Sequence, residues 1–170
     1  MHKSLLCLLV MILTCATPLA LAQSMAIASP EGSIILTITG EITRTNKEDS
    51  AVFDRALLEA LEWQATVTRT PWSDGQDEYQ GPLGRALLDF VGAFGSEMTI
   101  TALNDYAVTM PVSDFYELPV ILAMDQNGQA MRVRDKGPLF VLYPFDANPE
   151  LNVERYHNRS VWQIKSIHVH

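Results

Sequence analysis

The sequence predicts an α+β fold, a single domain in which two main helices pack on a mixed, mostly antiparallel sheet. Three observations carry that prediction. Two segments with helical spacing and helix-boundary residues fall early, before residue 95. Most of the chain beyond residue 95 alternates apolar and polar side chains, with turn residues between the runs. No internal repeat, low-complexity tract or linker interrupts the chain.

Residues 1–22 carry the three parts of a secretory signal. His2 and Lys3 give a positive start, Leu5 to Leu13 is an unbroken apolar run, and Pro18 precedes the small-residue site Ala20-Leu21-Ala22. The run is about half the ~20 residues a membrane-spanning helix needs, so no membrane span is expected after cleavage. Thr14 before Cys15 spoils a lipoprotein-type site. The expected destination is outside the cytoplasm, in the periplasm. Residues 23–32 are small, polar and aperiodic and read as a flexible lead-in to a domain over 33–170.

Ser33 to Thr39 alternates, with Ile34, Leu36 and Ile38 on one face, and Gly40 ends the strand. Asp54 reads as a helix N-cap, followed at helical spacing by Ala56, Leu57, Ala60 and Leu61. Thr66 to Thr70 alternates again until Pro71. Pro82 opens the second helix as its first residue, with Leu83, Leu87, Leu88 and Val91 as the apolar face and Gly95 as the stop. Met98 to Leu103 and Ala107 to Met110 read as strands joined by a turn at Asn104-Asp105, and Pro111 to Tyr116 as a helical turn. Val120 to Met124 and Met131 to Arg134 flank Asn127-Gly128, a strong hairpin signal. Leu139 to Tyr143 is continuously apolar and reads as a buried strand. Ser160 to Val169 closes the chain as an alternating strand, with Val161, Gln163, Lys165, Ile167 and Val169 opposite Trp162, Ile164 and Ser166.

Both cysteines, Cys7 and Cys15, lie in the segment read as removed. The expected mature chain therefore has no disulfide framework, zinc–thiolate site or cysteine nucleophile. Cleavage after Ala22 takes 22 of the 170 residues and leaves 148, the size of one domain. The removed part holds one of the 12 Lys+Arg and none of the 20 Asp+Glu, so the mature charge is −9. An acidic surface repels phosphate backbones and anionic lipids, which excludes nucleic acid and membrane partners. What remains is a small-molecule ligand, a membrane sensor or another exported protein.

Nucleotide, zinc-protease and serine-hydrolase motifs are missing. Asp125-x-Asn127-Gly128 begins like a calcium loop, but its twelfth position is Lys136, where an acidic ligand is needed. His168 and His170 stand two apart, so on a strand they share a face within reach of copper or zinc, although two ligands alone make a weak site. His157 reads as a solvated loop residue. The acidic residues are scattered, without a pair suited to acid–base work.

Three segments stand out. Trp72 sits inside the loop Thr70 to Gly75, Asn104 and Tyr106 lie at a strand-to-strand junction, and Arg132, Arg134 and Lys136 concentrate cations just before the buried strand. Arg159 adds a cation before the last strand. Together these side chains suit a flat anionic ligand. The alternative is that Trp72 covers a core edge, Asn104-Asp105 only turns the chain, and the cations pair with neighbouring acids.

Four segments, spread over most of the chain, carry a resemblance. They are Tyr79-Gln80-Gly81-Pro82-Leu83-Gly84-Arg85-Ala86-Leu87-Leu88, then Val120-Ile121-Leu122-Ala123 with Asn127-Gly128, then Gly137-Pro138-Leu139 through Tyr143-Pro144, and Ser160-Val161-Trp162-Gln163-Ile164-Lys165-Ser166-Ile167. In order and spacing they resemble the oxidoreductase molybdopterin-binding domain, the sulfite oxidase fold, and in particular its short exported members. The resemblance implies that fold, a pterin-binding pocket and, in catalytic members, a molybdenum-ligating cysteine between the first helix and the Gly-Pro-Leu segment. Here that stretch is Thr66 to Gly75, without a cysteine, with Thr70 and Ser73 the nearest hydroxyls. Val161 stands where the family has a lysine before Trp162. Arg132, Arg134, Lys136 and Arg159 are the cations available to a pterin phosphate.

Three functions are expected on these grounds. The first is a non-catalytic exported domain that binds a small ligand or a protein partner. The second is a molybdopterin oxidoreductase with a cysteine-free metal site. The third is a metal- or haem-binding protein using His168, His170 or a methionine.

Overall fold

The structure is a computed structural model and describes residues 27–170. The expected signal at 1–22 and the start of the lead-in lie outside the described residues. From residue 27 onward the stretch read as a lead-in makes contacts with the domain. Ile27 packs into the main core. The Glu31 and Gly32 N–H groups donate to Asp54 Oδ2 at 2.9 and 2.7 Å, and the Ala28 carbonyl accepts from Asn46 Nδ2 at 2.8 Å.

Strand β1 (Leu36–Gly40) turns its leucine and isoleucine inward and pairs antiparallel with β2 (Ala51–Phe53). Asp54 caps α1 (Arg55–Glu59) as expected, its Oδ1 accepting from Leu57 N–H at 2.9 Å. That helix is too short for a full apolar stripe and buries Leu58 alone, while Ala56 and Ala60 are exposed. Strands β3 (Trp63–Arg69) and β4 (Gln76–Pro82) form a long antiparallel pair. Pro82 ends β4 instead of opening a helix. Helix α2 (Gly84–Val91) buries Leu87, Leu88 and Val91 and stops at Gly92, earlier than expected, where φ is 61°.

Strands β5 (Glu97–Ala102) and β6 (Ala107–Pro111) pair through the Asn104-Asp105 turn, and α3 (Ser113–Glu117) follows. The Asn127-Gly128 turn joins two shorter strands than expected, β8 (Asp125–Gln126) and β9 (Gln129–Ala130). Strand β7 (Ile121–Ala123) pairs instead with β10 (Phe140–Leu142), and residues 133–135 form a 3-10 turn rather than a strand. Helix α4 (Glu154–Arg159) precedes the last strand, β11 (Ile164–Val169).

These strands make three sheets, in the orders β2-β1-β11-β5-β6, β3-β4-β8-β9 and β10-β7. Among the described strands only the β1–β11 pairing is parallel. A bulge between Ile164 and Ser166 shifts the alternation of β11, so Ile164 and Ile167 both reach the core. The result is one α+β domain with a mostly antiparallel sheet system. Its main core lies between the five-stranded sheet and helices α1 to α3. A smaller one gathers Tyr79, Leu83, Ile121, Met131, Phe140 and Leu142. Among the described residues no helix is long and apolar enough to cross a membrane.

Candidate functional site

A cleft of about 350 Å³ opens beside the smaller core, where three chain segments meet. Its size lies in the ~300–1,000 Å³ range of small-molecule sites. The first segment is the turn after β3. Thr70 N–H donates to Ser73 Oγ at 2.9 Å, Trp72 N–H donates to Thr70 Oγ1 at 3.3 Å, and the Ser73 hydroxyl reaches the Gly75 carbonyl at 2.9 Å. Pro71 breaks the strand and this hydroxyl network fixes the turn, which sets the Trp72 ring edge-on to Phe140 and Trp162, with centroids 6.2 and 5.0 Å away. Edge-to-face contacts of this kind add about 0.5–1.5 kcal/mol beyond the area they bury.

The second segment is the β5–β6 turn. Asn104 Oδ1 accepts from Tyr106 N–H at 3.2 Å, Asp105 takes a left-handed conformation (φ 67°), and the Tyr106 ring is left exposed at the rim. The third runs from the end of α4 into β11 and supplies His157, Asn158, Ser160, Val161 and Trp162. His157 Nε2 is 2.8 Å from Asn152 Oδ1, and its ring stands edge-on to Trp72 at 6.1 Å. Beneath the floor, Tyr79 lies against Phe140, and burial, aided by the Asp77 charge, pushes its phenol up to about 12.

The cleft is aromatic and carries no permanent charge: among the described residues, no Asp, Glu, Lys or Arg lines it. Ser160 Oγ is spent on the Tyr156 carbonyl, and the Asn104 carbonyl oxygen on its own turn. Among the described residues, no buried side-chain nitrogen or oxygen lacks a partner. The Asn104 amide nitrogen, the Asn158 amide, both indole N–H groups and the Tyr106 hydroxyl make no hydrogen bond among those residues, so they are open to solvent or to a ligand.

The structure thus brings Trp72, Asn104 and Tyr106 to one cleft and places the four cations elsewhere. Arg132 Nε binds Asp135 Oδ2 at 2.7 Å, and Arg134 lies 3.7 Å from the same carboxylate. Arg132, followed by Arg134, holds the Asp135 carboxyl below the usual range. Lys136 closes the 3-10 turn in a left-handed conformation, and its carbonyl accepts from Gln163 N–H at 3.0 Å. Arg159 turns away from the cleft to Asp114, at 2.8 and 3.1 Å. There Tyr143 also donates to Asp114 Oδ2 at 2.7 Å, and burial first, then the Asp114 charge, raises the Tyr143 phenol. Sequence reasoning missed His157, Asn158, Ser160 and Val161 as lining residues. Trp162 had a signal, a lone tryptophan opposite an apolar neighbour on an alternating strand.

A molybdenum pterin does not fit these residues. No cysteine occurs in residues 27–170, and no cation among them lines the cleft to meet a phosphate. The Thr70 and Ser73 hydroxyls, nearest to the expected thiolate, are occupied in holding the Trp72 turn. Among the described residues no group of three or more His, Cys, Asp or Glu side chains is placed to hold a metal ion.

No protein-family model matches the sequence, and no curated protein matches it. Among solved structures, the chain is similar to the sulfane dehydrogenase SoxCD from Paracoccus pantotrophus, at 19% identity and a TM-score of 0.59. The similarity covers 79% of this chain but only 37% of that one, so this domain spans little more than a third of its neighbour's length. At that identity the likeness is one of fold alone: the chain shares its α+β architecture with part of that structure.

Proposed function

We propose that this protein is an exported, periplasmic and non-catalytic binding domain, a pseudoenzyme that holds a flat, uncharged ligand in the cleft against Trp72 and Trp162. It reports the bound state to a membrane sensor or another exported protein. The observation that carries this reading is the cleft itself, walled by aromatic rings and edged by neutral donors and acceptors. Aromatic faces supply contact area at little entropic cost, and a few polar groups fix orientation. The amides of Asn104 and Asn158 and the indole N–H groups suit the edge of a heteroaromatic ring. An anionic ligand, expected from the cationic segment, loses its support because Arg132, Arg134, Lys136 and Arg159 all lie outside the cleft.

The test is elemental, pterin and small-molecule analysis of the mature protein purified from its host's exported fraction. The expected result is neither molybdenum nor pterin, with a small aromatic compound released on denaturation. Near-stoichiometric molybdenum with turnover would overturn the reading in favour of an oxidoreductase with a cysteine-free metal site.

A further inference from the structure

On the far side of the molecule from the core, the outer face of the five-stranded sheet carries His168 and His170. Their rings are stacked with centroids 5.8 Å apart and planes 27° from parallel. Both are exposed. Strand pairing sets their neighbours: Thr39 stands across from His168 on β1, and Thr99 across from it on β5. Thr39 Oγ1 lies 2.9 Å from His168 Nδ1, and Thr99 Oγ1 lies 3.1 Å from His170 Nε2. Thr99 is itself 2.9 Å from Thr109 Oγ1 on the next strand. Each ring therefore has one nitrogen held by a threonine hydroxyl and one left open, Nε2 on His168 and Nδ1 on His170.

We propose that His168 and His170 chelate one divalent copper ion on this sheet face. Three arguments support it. The first is reach. A metal bound to imidazole at ~2.0–2.1 Å lies about 3.2 Å from the ring centroid, so two rings sharing an ion have centroids about 4.5 Å apart at a right angle and about 5.2 Å apart at the tetrahedral angle. The observed spacing exceeds these values by about 1.3 and 0.6 Å, and both exposed rings turn about their side-chain torsions to bring their open nitrogens onto one ion. The second is orientation. A ligating histidine ordinarily fixes its other ring nitrogen on an acceptor, which sets tautomer and direction. The Thr39 and Thr99 hydroxyls stand in that position, and the Thr99–Thr109 contact braces one of them. The third is charge and softness. Glu41 and Glu97, bonded through their backbones to Val169 and His170, put carboxylates at the same end of the sheet and favour a cation. Two imidazoles with open coordination positions select copper over zinc and nickel by the general affinity order of these ions.

The experiment is a titration of the tag-free, cysteine-free mature protein, residues 23–170, with Cu²⁺, followed by calorimetry and electron paramagnetic resonance, with Zn²⁺ and Ni²⁺ as competitors. One Cu²⁺ per chain is expected, with superhyperfine splitting from two imidazole nitrogens and displacement by neither competitor at equal concentration. The double variant His168→Asn/His170→Asn loses this binding. Thr99→Val, which leaves both ligands in place, weakens it about tenfold. Unchanged thermal melts of the variants show that the sheet is intact. Equal copper binding by wild type and double variant, or a spectrum without two-imidazole coupling, overturns the proposal.

Discussion

Arg159 grips Asp114 with two hydrogen bonds from one guanidinium nitrogen, at 2.8 and 3.1 Å, and the Asp114 side chain is only 8% exposed. Tyr143 completes the site through its hydroxyl. The arrangement ties α4 to α3 and to the residue after β10, and it engages the Arg159 guanidinium within the fold. Arg159→Ala leaves a buried carboxylate unpaired and is expected to cost about 3–5 kcal/mol. In urea this is a midpoint loss of roughly 2 M at the slope usual for a small domain. The double variant Arg159→Met/Asp114→Leu, which removes both charges, recovers much of that loss. A single variant as stable as wild type would show that the pair contributes nothing.

Gly84 begins α2 with its Cα against the Phe115 ring, and a Cβ there would lie 2.4 Å from Phe115 Cδ2. Phe115 is fully buried and has no free direction to move. Alanine gains up to ~1 kcal/mol of helix propensity over glycine, but overpacking costs about 1–3 kcal/mol. Gly84→Ala is therefore expected to lower the melting temperature, and Phe115→Leu to offset part of the loss in the double variant. Additive effects in that cycle would contradict the clash.

The Asp54 carboxylate collects the Leu57, Gly32 and Glu31 N–H groups, and these bonds, that to Leu57 foremost, hold its pKa below the ordinary aspartate value. A depressed folded-state pKa stabilises the fold fully above the unfolded value, about 3.9, and the contribution is lost as pH falls through the folded value. Asp54→Asn substitutes a donor for one acceptor oxygen and can serve only Leu57 or the Glu31–Gly32 pair. Urea midpoints should place the variant well below wild type at pH 7, with the gap closing as pH falls below the unfolded value and through the lowered folded one. A gap independent of pH would remove the charge from the explanation.

The uncharged cleft predicts a preference that titration can read. As a flat, uncharged probe of the proposed site, riboflavin is expected to quench tryptophan fluorescence on binding, and its phosphate ester to gain nothing, because no cation among the described residues lines the cleft. Trp72→Ala abolishes the quenching with riboflavin, while Lys136→Ala leaves it unchanged. A tenfold preference for the phosphate, about 1.4 kcal/mol, would mean that a cation does reach the ligand.

Much of the fold was legible in the sequence, and the failures share physical causes. The Trp72 loop and the Asn104–Tyr106 turn were visible because proline, asparagine and a loop tryptophan speak through local chemistry. The cationic run misled because charge count says nothing of direction, and Asp135 stood inside the same run to neutralise it. Strand β4 was missed because it carries little apolar signal. Its buried residues are Tyr79, Gly81 and Pro82, and its partner β3 buries threonines at 66 and 68 while Val67 faces solvent, the reverse of the usual alternation. Helix α4 has no buried residue and hence no stripe to read. The bulge at Ile164 inverted the predicted facing of part of β11, since one extra residue exchanges the two sides.

The position of β11 governs when this domain becomes a domain. It lies between β1 and β5, so until residues 164–169 are made the other four strands are two separate pairs, β2–β1 and β5–β6. Those residues are translated after all four of the other strands. The bond between Thr39 and His168 closes a loop of 129 positions, a separation that makes folding slow. The largest sheet therefore stays in halves while the first four of its strands form, and the halves join only through β11.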